Sequence, residues 1–186
     1  MSNSRNIKCT CQTVNVCCCS MQKPIKSCNC RPKKICCCEC VIVNPPELGG
    51  IQAQLAVARE VYLDDGQAVV FDKILHNPNR DINYDAVTGR FSLRKRGTYL
   101  INWDVAVEGS YYRPFVRFSL RVKNAIIGSS TLPVTVGQLS GTSLLTVKET
   151  PIELSLINDT DDTVQLSRFT PVANITITKI SSASGC

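Results

Sequence analysis

The 186-residue chain has room for one ordinary domain and a short extra segment, and it holds no run of about 18 apolar residues that would span a membrane as a helix. Its 21 Lys and Arg against 15 Asp and Glu give a formal charge of +6, and the whole excess lies in residues 1–45, where seven bases face Glu39 alone. Those residues include no aromatic side chain on which a base could stack, so nucleic acid is not the expected partner; the lysines read as keeping a cysteine-laden segment soluble.

In chain order, the first element is a cysteine-rich arm, residues 1–44. Its start lacks the apolar stretch of a signal peptide, which predicts synthesis without one. The arm carries Cys9, Cys11, Cys17, Cys18, Cys19, Cys28, Cys30, Cys36, Cys37, Cys38 and Cys40; the twelfth cysteine, Cys186, ends the chain. The set Cys9, Cys11, Cys17, Cys18, Cys19 recurs as Cys28, Cys30, Cys36, Cys37, Cys38 at a constant offset of 19 residues, which reads as two copies of one linking unit. The arm has too few large apolar residues for a core, so cross-links or metal must order it. Adjacent cysteines lie about 3.8 Å apart at Cα, short of the usual disulfide span of about 4.4–6.8 Å. Each member of Cys17–Cys19 and Cys36–Cys38 is therefore expected to bond elsewhere. The alternative is a metallothionein-like cluster of zinc or copper(I), to which Cys-x-Cys spacing also lends itself; no histidine is in the arm.

A linker at 45–50, with Pro45-Pro46 and Gly49-Gly50, separates the arm from a second region of zero net charge. From residue 51 the pattern becomes short alternating segments. Strands are predicted near 52–57, 67–74, 88–94, 97–107, 114–123, 133–147, 151–158, 163–168 and 172–180, with turns at Asp65-Gly66, Asn77-Pro78-Asn79, Thr88-Gly89 and 158–162. Many short strands and no convincing helix predict an all-β sandwich or jelly roll, followed by a flexible tail at 181–186.

Chemistry-bearing patterns are sparse. The single histidine, His76, falls in a predicted loop, and neither a nucleophile elbow nor a phosphate-cradling glycine loop is present. The region is read as non-catalytic, with no cofactor. Asp159, Asp161 and Asp162 form an acidic turn whose oxygens suit calcium or simply solvent, the solvated turn being the favoured reading. Tyr111-Tyr112 and Arg94-Lys95-Arg96 are the residues from which a ligand surface would be built, although packing at a rim is the plainer role.

One stretch resembles the signature of C1q domains. Phe71 is followed after five residues by Asn77; Tyr84 takes the aromatic place two residues late; Phe91 follows after six residues and Gly97 after five more; then come Tyr99, Ile101 and Trp103. The resemblance covers about residues 51–180. It implies a ten-stranded C1q/TNF-like jelly roll that assembles as a homotrimer, of the type found in bacterial spore exosporium glycoproteins and spore appendages. The chain departs from the glycoproteins by having no Gly-x-y repeat and a cysteine arm in its place. The resemblance thus implies a structural protein of a spore surface (exosporium, coat or appendage), whose three arms meet near one axis and cross-link by interchain disulfides. Other spore surface proteins are possible partners; neither a membrane nor nucleic acid is expected. In such a fold both termini leave one end, which brings Cys186 within reach of an arm cysteine. A glycan-binding adhesive head is the alternative function.

Overall fold

The computed structural model describes residues 8–11, 38–41, 49–56, 60–78, 81–133, 136–169 and 171–182. The chain divides into two units, Met1–Glu47 and Leu48–Cys186. Cys17, Cys18, Cys19, Cys28, Cys30, Cys36, Cys37 and Cys186 lie outside the described residues.

In the first unit, β1 (Lys8–Cys11) and β2 (Cys38–Val41) form an antiparallel ribbon. Its register opposes Lys8 to Val41, Cys9 to Cys40, Thr10 to Glu39 and Cys11 to Cys38.

The second unit is an all-β sandwich of two sheets, with no helix among its described residues. One sheet has five strands. Its edge is β10 (Ala125–Leu132), followed by β9 (Val116–Val122), β12 (Ile152–Asn158), β7 (Arg90–Leu93) and β6 (Ile82–Asp85). The seven-stranded sheet is organised by β8 (Gly97–Ser110), a 14-residue strand with clean alternation. On one edge of β8 runs β11 (Gly137–Val147), from Gly137 opposite Val107 to Val147 opposite Gly97. The other edge is shared by β14 (Ala173–Ser182), which covers residues 97–105, and β13 (Val164–Leu166), which covers 107–110. Next to β14 is β3 (Gly50–Leu55) and then β5 (Lys73–His76), while β4 (Tyr62–Leu63) pairs with β13.

The core follows from period-two patterning. Tyr99, Ile101, Trp103, Val105 and Val107 of β8 point inward and are buried, and so do Val116, Phe118, Leu120 and Val122 of β9. Ile51, Ala53, Leu154, Leu156, Ile175 and Ile177 complete one continuous cluster between the sheets.

The strands read at 97–107, 114–123, 151–158 and 172–180 coincide with β8, β9, β12 and β14 to within a few residues. Four details differ. The segment read as one strand at 67–74 is mostly extended coil, with a lone bridge at Ala68 to Ile157, and pairing resumes at Lys73. His76, read as a loop residue, closes β5 opposite Gln52. The strands β4, β6 and β10 were not anticipated, so the sandwich has more strands than the ten expected. The first strand of the head begins at Gly50, inside the stretch read as a linker.

Candidate assembly surfaces

The residues that carry the C1q resemblance converge inside the sandwich. Phe71, Tyr84 and Phe91 form an aromatic trio with ring centroids 4.6–6.2 Å apart. The Tyr84 hydroxyl donates to the Phe71 carbonyl (3.1 Å) and accepts from the Phe71 N–H (2.6 Å), so it satisfies the backbone of Phe71 between the Val69 N–H bond to Leu156 and the Asp72 N–H bond to Gln54. Burial pushes its phenol up to about 12. Asn77 Nδ2 donates to the Ile82 carbonyl at 3.1 Å and ties the turn back to β6. Tyr99 is fully buried and donates to the Lys95 carbonyl at 2.6 Å, closing the turn that feeds β8.

Two glycines explain themselves sterically. Gly97 has φ +146°, and a Cβ there would lie 2.2 Å from the Ser181 carbonyl oxygen, where β14 carries a register shift. Gly141 stands directly opposite Trp103, and its missing side chain is the space the indole fills; a Cβ would fall 2.4 Å from Trp103 Cζ2.

Outside this core the head presents three surfaces of different chemistry. The outer face of the seven-stranded sheet is polar and largely uncharged over β11, β8, β14 and β3, with Lys73 and His76 on its β5 edge. Its cross-strand rows read Gln52 with Thr176, Gln54 with Asn174 and Asp104, Asn102 with Thr142, Leu100 with Leu144, and Thr98 with Thr146. Hydrogen bonds run along these rows: Gln54 Nε2 donates to Asn174 Oδ1 (2.8 Å), Asn174 Nδ2 to Asp104 (2.8 Å), and Thr142 Oγ1 to Asn102 Oδ1 (2.8 Å). Across β11, β8, β14 and β3 Asp104 is the one ionisable side chain in these rows, which β5 extends with Lys73 opposite Gln54 and His76 opposite Gln52; Leu144 is 65% exposed.

The second surface is a rim at the far end of β8. Tyr62 stacks on Tyr111, with centroids 6.3 Å apart, and Tyr111 touches Tyr112. Asp162 fixes this turn, accepting from Ser110 Oγ (2.5 Å) and from the backbone N–H groups of Tyr112 (2.5 Å) and Arg113 (3.2 Å). These donors, Ser110 first, hold its carboxyl below the usual Asp range. The rest of the acidic turn is likewise engaged by the protein. Asp159 accepts from Ser119 Oγ (2.6 Å), Asp161 pairs with Arg113, and Asn158 Nδ2 donates to the carbonyls of Leu63 and Asp162. No group of three or more His, Cys, Asp or Glu among the described residues is placed to hold a metal ion. Arg94, Lys95 and Arg96 precede β8 and the tyrosines follow it, so about 40 Å of strand separates them and they form no joint surface.

The third surface is a cleft of about 650 Å³ on the five-stranded sheet, lined by Arg90, Arg121, Lys123, Asn124, Glu153 and Ser155 among others. Arg90 reaches Glu153 at 3.4 Å. Arg121 and Lys123 carry no acidic partner among the described residues, so the cleft is cationic. Arg121 and Lys123 are two residues apart at the end of β9, and Arg90 joins them from β7 because β12 pairs with both strands and sets Ser155 opposite Arg121.

The family model of the C1q domain matches residues 53–146, half of the chain. Among solved structures, the chain is similar to the TNF protein Eiger of S. frugiperda, at 13% identity and a TM-score of 0.59, covering 74% of this chain and 96% of that one. It is similar to the globular domain of zebrafish complement 1qA, at 15% identity and a TM-score of 0.55, covering 72% of this chain and 98% of that one. A third is murine APRIL, at 6% identity and a TM-score of 0.56, covering 72% of this chain and all of that one. At these identities the likeness is one of fold. No curated protein matches the sequence.

Proposed function

The chain belongs to the C1q domain family, and on that premise we propose that it is a structural, self-assembling protein whose head trimerises and whose arm joins trimers by disulfides. The observation that carries the reading is the outer face of the seven-stranded sheet. A face of Gln, Asn, Thr and Ser, with Leu100 on β8 and an exposed Leu144 beside it on the edge strand β11, has the charge depletion of an interface core. A closed cyclic oligomer covers such a face with copies of the same chain. The arm then supplies from each subunit a dense set of cysteines that the head does not need for its own core.

The setting we infer is a bacterial spore surface: exosporium, coat or appendage. Support comes from the resemblance to spore-surface heads and from the cysteine arm standing where the exosporium glycoproteins carry a collagen-like repeat. Electron microscopy of the full chain, paired with denaturing gels run with and without reductant, tests this. Ordered fibres or sheets that enter the gel only after reduction are expected; discrete particles indifferent to reductant contradict it.

The cationic cleft favours a second reading, adhesion through an acidic saccharide. Arg121 and Lys123 present charge, and Asn124 and Ser155 present hydrogen-bonding groups suited to hydroxyls. Calorimetric titration with polygalacturonate, using neutral dextran as the control, separates the two. Binding to the acid polymer that Arg121→Gln with Lys123→Gln abolishes supports adhesion, and no heat with either polymer counts against it.

A further inference from the structure

We propose that the arm closes on itself within one chain, Cys9 bonding to Cys40 and Cys11 to Cys38, and that only the remaining cysteines are left to join chains. The proposal rests on reading the arm as an oxidised linker, and it divides the cysteines into two classes that the duplicated motif does not distinguish.

The β1–β2 register carries it. Cys9 and Cys11 flank Thr10, and Cys38 and Cys40 flank Glu39, so each Cys-x-Cys pair shares one face of its strand. Directly opposed residues of an antiparallel ribbon share a face, and the register opposes Cys9 to Cys40 and Cys11 to Cys38. All four cysteines therefore lie on one face, with Thr10 and Glu39 on the other. Opposed Cα atoms are about 4.5 or 5.5 Å apart according to whether the pair is hydrogen-bonded. The two cysteine pairs are two residues apart, so they are of the same kind, and either spacing falls within the usual disulfide span of about 4.4–6.8 Å. Neighbours along a strand do less well: successive residues are too close, and residues two apart, at roughly 6.6 Å, stand at the outer limit. A single-residue slip in register would oppose Cys9 to Glu39 or Val41 and lose the double cysteine match, so the matched register is itself informative.

The ribbon also presents each cysteine to a partner in its own chain before any second chain arrives. An intramolecular partner acts at an effective concentration in the mM range, well above that of a separate molecule in dilute solution. Closure by a small-molecule disulfide balances as follows. A Cys9 thiolate attacks the reagent disulfide and releases one small thiolate; the Cys40 thiolate then attacks the mixed disulfide at Cys9 and releases the second. Two protons leave the protein thiols and two electrons pass to the reagent, which becomes two small thiols. Cys11 and Cys38 repeat the step. The two copies of the motif are then unequal: the first gives up both members of its Cys-x-Cys, while Cys28 and Cys30 of the second remain available.

Isotope mixing tests the assignment on the full chain. Ordinary and ¹⁵N-labelled chains are mixed reduced and unfolded, refolded together, and oxidised with glutathione disulfide. Disulfide-linked peptides are then sequenced by electron-transfer mass spectrometry. The expected result is that the Cys9–Cys40 and Cys11–Cys38 links join peptides of one label only. Mixed labels at these links, or other partners for these four cysteines, overturn the proposal. So does native mass spectrometry that finds a zinc ion on the arm with the four thiols free. If every other link is also of one label, the ribbon stands and the covalent-polymer reading falls instead. A full-length variant with Cys17, Cys18, Cys19, Cys28, Cys30, Cys36, Cys37 and Cys186 changed to Ser gives an independent readout. It should lose the mass of four hydrogens per chain on oxidation and run as a single chain without reductant; disulfide-joined dimers contradict the assignment.

Discussion

At the scale of single residues, the sandwich depends on a few contacts that no substitution of similar size restores. Tyr84 is one. Removing its hydroxyl in Tyr84→Phe leaves the N–H and carbonyl of Phe71 without their partner, a loss of about 1–3 kcal/mol for a buried group. Urea denaturation of the full chain should show that loss, and an unchanged midpoint would mean solvent reaches Phe71. The phenol's elevation to about 12 has a sign. Its contribution to stability is complete below the ordinary value of 10.0 and fades as pH rises through about 12. Gly141 is the second. Gly141→Ala forces a methyl group into the indole of Trp103, at a cost of about 1–3 kcal/mol. Trp103 is the single tryptophan, so its fluorescence should report the displacement directly. The aromatic positions of this cluster were legible through their resemblance to the C1q signature. The pairing of Gly141 with Trp103 was not, since it joins residues 38 apart through a register that composition does not encode.

At the scale of elements, legibility followed burial. The strands β8, β9 and β14 alternate apolar with polar residues because one face of each meets the core, and their period was plain. The edge strand β10 is Ala-Ile-Ile-Gly-Ser-Ser-Thr-Leu with no residue fully buried, so there was no alternation to read. β5 is exposed throughout and was hidden for the same reason. The acidic turn behaved differently: its residue types pointed to a loop, and the structure adds that Asp162 is a clamp on the Tyr111–Tyr112 turn. The carboxyl is held below its ordinary range by its donors, so its contribution is present above the unfolded Asp value of about 3.9 and is lost as pH falls through the lowered one. Acidification should release the tyrosine turn before the sheets part. Proton NMR of the Tyr111 and Tyr112 rings checks this; rings unshifted until global unfolding would assign the clamp to other contacts.

At the scale of the whole molecule, the account joins a neutral sheet face to a cysteine arm. Leu144→Arg places a charge where the interface core is proposed, on a side chain that is exposed in one chain alone. It should leave the fold intact by circular dichroism while preventing trimers, whereas Arg121→Gln on the other sheet should leave the oligomer unaltered. Composition separated arm from head readily, since the net positive charge and every cysteine but Cys186 lie before residue 45. Which cysteines face one another depends on strand register.

The most direct measurement is the mass of the native full-length assembly by light scattering, before and after reduction. The account predicts particles far heavier than three chains when oxidised, falling on reduction to three times 20.4 kDa. A mass of three chains under both conditions would remove the covalent links, and a single-chain mass after reduction would remove the trimer.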